Sequence, residues 1–203
     1  MTNRIRFLEP DEVQRLIEVP NLKSLTGLRN RCVLGLLYEA GLRIDECLSL
    51  KPRDVVLSEK RIEVLRSKGG RFRTCYFRTD ELAMLIAKWK QVRPTSDFLF
   101  CTIRSANGRG CKLSARNFRF SFDRYCQRAQ LPTWVTPHVL RHTFATQLLR
   151  NGANLMVVKQ ALGHSSIATT QIYLHVSPLE VKRAIQGTES RQVSSGECRE
   201  DLS

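Results

Sequence analysis

Residues 54–77, with the sequence DVVLSEKRIEVLRSKGGRFRTCYF, decide the fold class of this chain. Three short runs rich in β-branched and aromatic residues, VVL, RIEVLR and RFRTCYF, are typical of β-strands. Turn residues separate the runs at 58–60 (SEK) and at 67–70 (SKGG). The spacing predicts a three-stranded antiparallel meander, and the glycine pair predicts a tight second hairpin with Lys68 at its tip or strand edge.

Apolar residues recur at helical spacing on both sides of this meander. Before it, helices are predicted from residue 10 to the residue before Pro20, from 28 to a glycine cap at 41, and over 44–50. After it, helices are predicted over 79–92, 114–130, 137–150, 155–162, 166–173 and 178–185, with a short strand or extended piece at 98–100. The sequence therefore predicts an α+β fold that is mainly α-helical with one small antiparallel sheet.

The charge balance points to a polyanionic partner. The chain carries 33 Lys and Arg against 19 Asp and Glu, a formal net charge of +14. Residues 187–203 hold two arginines and four acidic side chains, net −2, so residues 1–186 carry +16. Nucleic acid is the leading candidate for a body this basic, with a ribosome-associated or heparin-like binder and a generally basic soluble protein as alternatives. RNA binding finds no support, because the sequence has no RNA-module signature.

Length and composition limit the domain organisation. With 203 residues and 42% apolar side chains, the chain can bury one sizeable core. We expect residues 1–186 to form one domain and the Ser-, Glu- and Gly-containing segment 187–203 to be a disordered tail. The sequence has neither an apolar run of about 18 residues nor an apolar start, which predicts a cytoplasmic protein without a membrane span. Seven cysteines without a C-x-x-C pair predict reduced thiols rather than a metal site.

Polar residues stand where the pattern calls for core side chains in three segments: GLRIDECLSL (41–50), TPHVLRHTFATQLL (136–149) and QALGHSSIATTQIYLHV (160–176). His138 and Arg141 are three residues apart on a predicted helix, which places them on one face. His164 follows a Leu-Gly helix end, and Tyr173 lies nine residues further on. The three segments predict a basic, hydrogen-bonding site that a phenol completes.

Taken in chain order, these residues resemble the tyrosine recombinase (phage integrase) family, and most closely the catalytic domain of its Xer type. The resemblance covers residues 7–185. Each motif is common by itself, but the ordered set is specific. The positions that match the family's site are Arg43 and its supporting Glu46 in GLRIDE, Lys68 in SKGGR, His138 and Arg141 in PHVLRHTFAT, His164 in LGHSS, and the nucleophile Tyr173 in TTQIYLHV.

The resemblance implies a site-specific recombinase that breaks and rejoins double-stranded DNA without a metal ion, another cofactor or ATP. Tyr173 would form a 3′-phosphotyrosyl link to the DNA. Two strand exchanges through a four-way junction would require a homotetramer on paired sites, assembled from a chain that is monomeric in solution. The outcome would be integration, excision, inversion or resolution.

The chemistry assigns a role to each matched residue. A phenol with a pKa near ~10 needs help to attack a phosphodiester at neutral pH. We expect the two arginines to stabilise the charge of the transition state, His138 to accept the phenolic proton or bind the phosphate, and His164 to donate to a non-bridging oxygen. Lys68 is the expected general acid for the leaving 5′-oxygen, and Glu46 is expected to buttress Arg43 or one of the histidines.

The same residues also have plainer interpretations. Arg43 could interact with a helix dipole, Lys68 could be a solubilising turn residue, and Tyr173 could belong to the core. His142 is expected to act only structurally, against the neighbouring helix. The alternative function is a catalytically silent DNA-binding regulator derived from a recombinase, and the intact set of catalytic residues argues against it.

Both ends of the chain leave a question open. Most family members carry an N-terminal helical domain before the catalytic domain, whereas this chain begins almost at the latter. It is therefore expected to be an excised domain or a naturally short member, and Met1 together with the tail favours the short member. By family analogy the helix predicted over 178–185 docks on a neighbouring protomer; otherwise it folds back onto its own domain.

Overall fold

The structure is a computed structural model and describes residues 6–65, 72–103 and 109–163, together with Lys182 and Ile185. Within these residues the helices are α1 (Pro10–Glu18), α2 (Leu25–Glu39), α3 (Ile44–Ser49), α4 (Asp80–Val92), α5 (Ala115–Arg128), α6 (Pro137–Arg150) and α7 (Leu155–Leu162), with a 3-10 turn at Pro52–Asp54. The strands are β1 (Val55–Val56), β2 (Arg61–Leu65) and β3 (Phe72–Tyr76). The predicted α+β class, mainly helical with one small sheet, is confirmed.

The three strands form one antiparallel sheet in the order β1-β2-β3, as predicted for a meander. In the β2-β3 pair, Ile62 lies opposite Cys75 and Val64 lies opposite Arg73. The expected position of Lys68, at the tip of the hairpin between β2 and β3, falls outside the described residues.

The predicted start of α2 was three residues late. α2 begins at Leu25 rather than at Leu28. The cause is a local cap, because the Ser24 hydroxyl oxygen accepts a hydrogen bond from the amide of Gly27 at 3.0 Å. The apolar pattern alone starts one turn later and therefore misses this end.

Over 98–100 the sequence predicts a short strand or an extended piece, and the strand does not form. The segment has no strand partner among the described residues, and an isolated bridge joins Cys101 to Lys112 just beyond it. Its backbone groups have other partners: the amide of Leu99 donates to the carbonyl of Leu50 at 2.6 Å, and the Leu99 carbonyl accepts from the indole nitrogen of Trp89 at 2.8 Å. These contacts fix the segment against α3 and α4 without a sheet.

α6 and α7 begin and end where the sequence predicts. Pro137 occupies the first turn of α6, and the left-handed Gly163 (φ +64°) caps the end of α7. The helices predicted over 166–173 and 178–185 lie outside the described residues, except that Lys182 and Ile185 are helical.

Two apolar clusters organise the core around α2 and around the α6-α7 pair. α2 is buried on nearly all sides, and α3, α4 and α6 pack against it. The second cluster joins α6 and α7 to β3 and contains Tyr76, Phe144, Leu148, Val157, Val158, Ala161, Leu162 and Ile185. Ile185 is therefore buried in the cluster that α6, α7 and β3 form.

The described cysteines are free thiols, as predicted, and all of them except Cys111 are buried. Burial raises the pKa of Cys32 to about 12 and the pKa of Cys75 to about 11, which keeps both thiols protonated. No helix in the described part of the chain is long and apolar enough to span a membrane.

Candidate active site

Arg43 stands at the N-terminus of α3, directly after the turn that ends α2. The turn requires glycine at residue 41, since Gly41 has φ +59° and a Cβ there would lie 2.7 Å from Cε1 of Phe144. Two residues later the Arg43 side chain emerges with 43% of its surface exposed. Solvent or a ligand can therefore reach the guanidinium of Arg43.

Glu46 is the centre of a cluster of three arginines. Its carboxylate accepts a hydrogen bond from the amide of Arg43 (2.8 Å) and one from the guanidinium of the same residue (2.9 Å). Nη2 of Arg73 donates to Oε2 at 2.6 Å, and Nη1 of Arg141 lies 3.9 Å from the same oxygen. We call Arg43, Glu46, Arg73 and Arg141 the arginine cluster.

The electrostatics of the arginine cluster favour an anionic ligand. Burial alone raises the pKa of Glu46, which is 15% exposed, but the guanidinium of Arg73 and the bonds from Arg43 hold that pKa below its ordinary value. Glu46 is thus ionised at neutral pH. Three positive charges against one negative charge leave two positive charges uncompensated within the cluster.

Arg141 lies on α6 and is only 4% exposed. Its Nη1 donates to the carbonyl of Gly41, and its Nη2 donates to the carbonyl of Leu162 at 2.5 Å. These carbonyls follow α2 and end α7, where a helix dipole is negative and attracts a cation. Burial and the neighbouring guanidiniums of Arg43 and Arg73 lower the pKa of Arg141 to about 10, so it remains a cation at neutral pH.

Arg73 is a member of the site that the sequence reasoning missed. Its side chain is 5% exposed, and besides Glu46 it donates from Nη1 to the carbonyl of Ala161 and to the Sγ of Cys75, each at 2.9 Å. The strand pattern contained a signal for it. Arg73 lies opposite Val64 and on the same face as Cys75, so alternation already places a charged residue at a buried position.

His138 lies on α6 near Arg141, with its ring edge-on to that of His142 at a centroid distance of 5.4 Å. Burial, the neighbouring His142 and the two positive charges of Arg141 and Arg43 lower the pKa of His138 below its ordinary value. A neutral imidazole can accept a proton. The structural role expected for His142 against another helix is wrong, because His142 is exposed and contacts His138.

The structure thus places four of the predicted site residues, Arg43, Glu46, His138 and Arg141, on neighbouring ends of α3 and α6. Glu46 contacts Arg43, and among the described residues no hydrogen bond joins Glu46 to a histidine. Lys68, His164 and Tyr173 lie outside the described residues. His164 is the residue after Gly163 and so follows directly from the end of α7.

The arrangement suits the binding of a phosphodiester better than that of a metal cation. Guanidiniums present several N–H donors in the geometry that phosphate oxygens require. Across the described ranges, no group of three His, Cys, Asp or Glu side chains is placed to bind a metal ion.

Comparison with known proteins gives a consistent result. The model of the phage integrase family matches residues 6–180. Tyrosine recombinase XerD of Ralstonia nicotianae is 38% identical over 178 residues, which cover 85% of this chain and 56% of that protein. The chain therefore spans little more than half the length of this curated relative.

Solved structures show the same likeness. The XerA recombinase superposes with a TM-score of 0.68 at 29% identity, covering 96% of this chain and 66% of that one. The XerH site-specific recombinase bound to its difH substrate in a pre-cleavage complex superposes with a TM-score of 0.67 at 26% identity, covering 88% of this chain and 53% of that one.

Proposed function

This chain belongs to the phage integrase family and is a tyrosine recombinase catalytic domain of the Xer type, and we propose that it breaks and rejoins double-stranded DNA at specific sites. We assign this activity to residues 1–186 as the catalytic domain. The net charge of +16 on that segment supports DNA as the partner, because neutralising phosphates releases their counterions.

The observation that carries the proposal is the arginine cluster beside His138. In-line attack on a phosphodiester adds negative charge to the non-bridging oxygens, and preformed cations stabilise that charge. Arg43 is exposed enough to contact a phosphate oxygen, while Arg141 is held rigidly between two carbonyls. Such fixed guanidiniums supply the charge stabilisation that a metal ion supplies in other phosphoryl-transfer sites, so we expect strand cleavage without a metal ion or ATP.

The reaction step follows from the proposed roles. The phenolic oxygen of Tyr173 forms a bond to phosphorus as the bond from phosphorus to the 5′-oxygen breaks. His138, kept neutral by its lowered pKa, takes the phenolic proton, and Lys68 gives a proton to the leaving 5′-oxygen. His164 donates a hydrogen bond to a non-bridging oxygen. The products are a 3′-phosphotyrosyl link and a free 5′-hydroxyl, and the reverse step rejoins a strand.

Recombination of two duplexes needs this step at four phosphates. We propose that four copies act on paired sites, exchanging strands in two rounds through a four-way junction, and that single copies exist in solution. XerH, a structural relative, is bound to its difH substrate in a pre-cleavage complex. We expect the protein to act in the cytoplasm, on chromosomal DNA.

The test is covalent capture on a nicked duplex. A pool of duplexes with randomised sequence around the nick is incubated with the protein, so that the short 5′-hydroxyl fragment diffuses away and the cleaved strand stays attached. We expect a denaturant-resistant adduct, whose DNA identifies the site. Tyr173→Phe should bind this DNA with unchanged affinity and give no adduct, because only the attacking hydroxyl is removed.

Tyr38→Phe is the matched control, since it removes a phenolic hydroxyl whose partner is Gln147, at 2.8 Å. This variant should form the adduct. An adduct that persists in Tyr173→Phe would mean that another residue is the nucleophile. Sequence-specific binding without any adduct from the unaltered protein would instead favour the catalytically silent regulator.

A further inference from the structure

We propose that Arg73 is a positioning residue for strand cleavage, which ties the end of α7 to the Glu46 carboxylate and so sets the geometry of the arginine cluster around the scissile phosphate. The inference rests on the proposed function and deepens it. It assigns a role to a buried side chain outside the set of residues matched by the family resemblance.

The first argument is the set of bonds that Arg73 makes. One guanidinium on β3 reaches Glu46 on α3 and the Ala161 carbonyl on α7, two residues that are remote from it in sequence. A hydrogen bond between charged groups is stronger and shorter than one between neutral groups. Arg73 therefore fixes the mutual placement of three elements that adjoin proposed catalytic residues in sequence: α3 begins directly after Arg43, β3 follows Lys68, and α7 precedes His164.

The second argument concerns the end of α7. Arg73 binds the carbonyl of Ala161 and Arg141 binds the carbonyl of Leu162, so two buried cations cap consecutive carbonyls. The chain then turns through the left-handed Gly163 into His164. The point from which His164 departs is thus set by the same two guanidiniums that surround Glu46.

The third argument is the close fit between Gly163 and Arg73. A Cβ on Gly163 would lie 2.6 Å from Nε and 3.0 Å from Cζ of Arg73, as well as close to Cδ. No real Cβ tolerates the first of these distances, so a side chain at residue 163 would push the Arg73 guanidinium out of place. Gly152 offers a matched comparison, because its φ of +84° is also left-handed but open space surrounds it.

Arg73 acts through its neighbours rather than on the DNA. Its side chain is 5% exposed, and both terminal nitrogens are engaged with protein acceptors. A purely structural role predicts something different: loss of Arg73 would then lower stability and slow cleavage equally on any substrate, because removing one member of a buried ion pair is destabilising by itself. The two roles can therefore be distinguished by changing the charge of the scissile phosphate.

The experiment uses the nicked duplex that the unaltered protein captures, prepared once with a normal scissile phosphate and once with a methylphosphonate there. The methyl group replaces a charged non-bridging oxygen, so the neutral substrate depends less on positioned guanidiniums. We measure single-turnover adduct formation, DNA affinity and thermal unfolding for Arg73→Met and Arg73→Lys. Displacing reacting groups by about 1 Å can cost ~10²-fold in rate, and we expect a loss of that order for Arg73→Met on normal DNA.

On the methylphosphonate, the Arg73→Met rate relative to the unaltered protein should recover by at least about tenfold, with DNA affinity unchanged on both substrates. Arg73→Lys keeps the charge but cannot reach three acceptors from one nitrogen, so it should restore thermal stability more than rate. Equal losses on the two substrates would assign Arg73 a structural role only and overturn the proposal, as would a normal-DNA rate within about threefold of the unaltered protein.

A comparison of Gly163 with Gly152 gives an independent test of the proposal. Gly163→Ala should slow adduct formation far more than Gly152→Ala, although both place alanine in a left-handed conformation. On an Arg73→Met background the added effect of Gly163→Ala should shrink, because no guanidinium is left for the alanine to displace; additive effects would contradict the contact as the cause. If the unaltered protein forms no adduct on any duplex, the proposed function itself fails and this inference falls with it.

Discussion

Replacing Glu46 by glutamine removes the negative charge at the centre of the arginine cluster while keeping the size of the side chain. The carboxylate touches Arg43 and Arg73 through hydrogen bonds of 2.8, 2.9 and 2.6 Å and lies 3.9 Å from Arg141. After the change, three guanidiniums face one another without a counter-ion. We therefore predict that Glu46→Gln destabilises the fold even though no cavity forms.

The size of the effect follows from the burial of the partners. Breaking a buried ion pair by removing one member costs about 3–5 kcal/mol. Arg73 and Arg141 are almost fully buried, but Arg43 is 43% exposed and can turn towards water, which favours the lower end, about 3 kcal/mol. At about 2–4 °C per kcal/mol for a chain of this size, the unfolding temperature should fall by about 6–12 °C.

The pH dependence gives the prediction a second signature. The pKa of Glu46 is lowered in the folded protein, so the unfolded state binds its proton first and the stabilisation is present above the unfolded pKa of about 4.3. We expect the difference in unfolding temperature between the unaltered protein and Glu46→Gln, measured from pH 7 to pH 3, to stay constant down to about pH 5. This difference should then decrease as the pH falls through the folded pKa of Glu46.

Asp11→Asn is the control, because its bond to Arg15 lies at the surface, with both side chains more than half exposed, and surface ion pairs contribute little. It should leave the unfolding temperature nearly unchanged. A loss below about 1 kcal/mol for Glu46→Gln, or a difference in unfolding temperature that does not change with pH, would refute the view that this carboxylate holds the arginines together by charge.

Two further predictions concern proton transfer during cleavage. If His138 takes the phenolic proton, the single-turnover rate of adduct formation should stay constant down to about pH 6.5 and fall only below it, because the pKa of His138 is lowered. His138→Asn should form the adduct slowly and without this decrease at acidic pH. The same decrease in His138→Asn would contradict the role. If Lys68 protonates the leaving oxygen, Lys68→Ala should be strongly impaired on normal DNA and close to the unaltered protein when sulfur replaces the bridging 5′-oxygen, because a thiolate leaves without a proton. A Lys68→Ala defect that is equal on the two substrates would make the lysine a DNA-binding or hairpin residue.

The parts of the fold that the sequence predicted correctly are those with local causes. α6 and α7 carry a proline in the first turn, an asparagine cap at residue 154 and a glycine in the left-handed C-cap, and these residues act through neighbours a few positions away. The strand alternative for 98–100 was wrong because the partners of Leu99, which are Leu50 and Trp89, come from other elements.

The same distinction explains the site. Arg43, Glu46, His138 and Arg141 stand in short motifs, so their order along the chain was enough to select them. Arg73 stands in a strand between Phe72 and Thr74, and a strand arginine is ordinarily a surface residue. Its burial depends on Glu46 and Ala161, which reach it only through the tertiary fold, so local pattern could reveal its phase in the strand but not its partners.

The two arginines that the motifs treat alike take different physical positions. Arg43 is half exposed, as a group that meets a phosphate must be, whereas Arg141 is buried with two terminal nitrogens on the carbonyls of Gly41 and Leu162. A buried cation requires such acceptors, because an unpaired one would cost several kcal/mol of desolvation. Once paired, its field is fixed before the proposed DNA substrate binds and needs no reorganisation when negative charge develops there. The carbonyl bonds of Arg141 thus serve both stability and proposed catalysis, which is why the ends of α2 and α7 meet at this side chain.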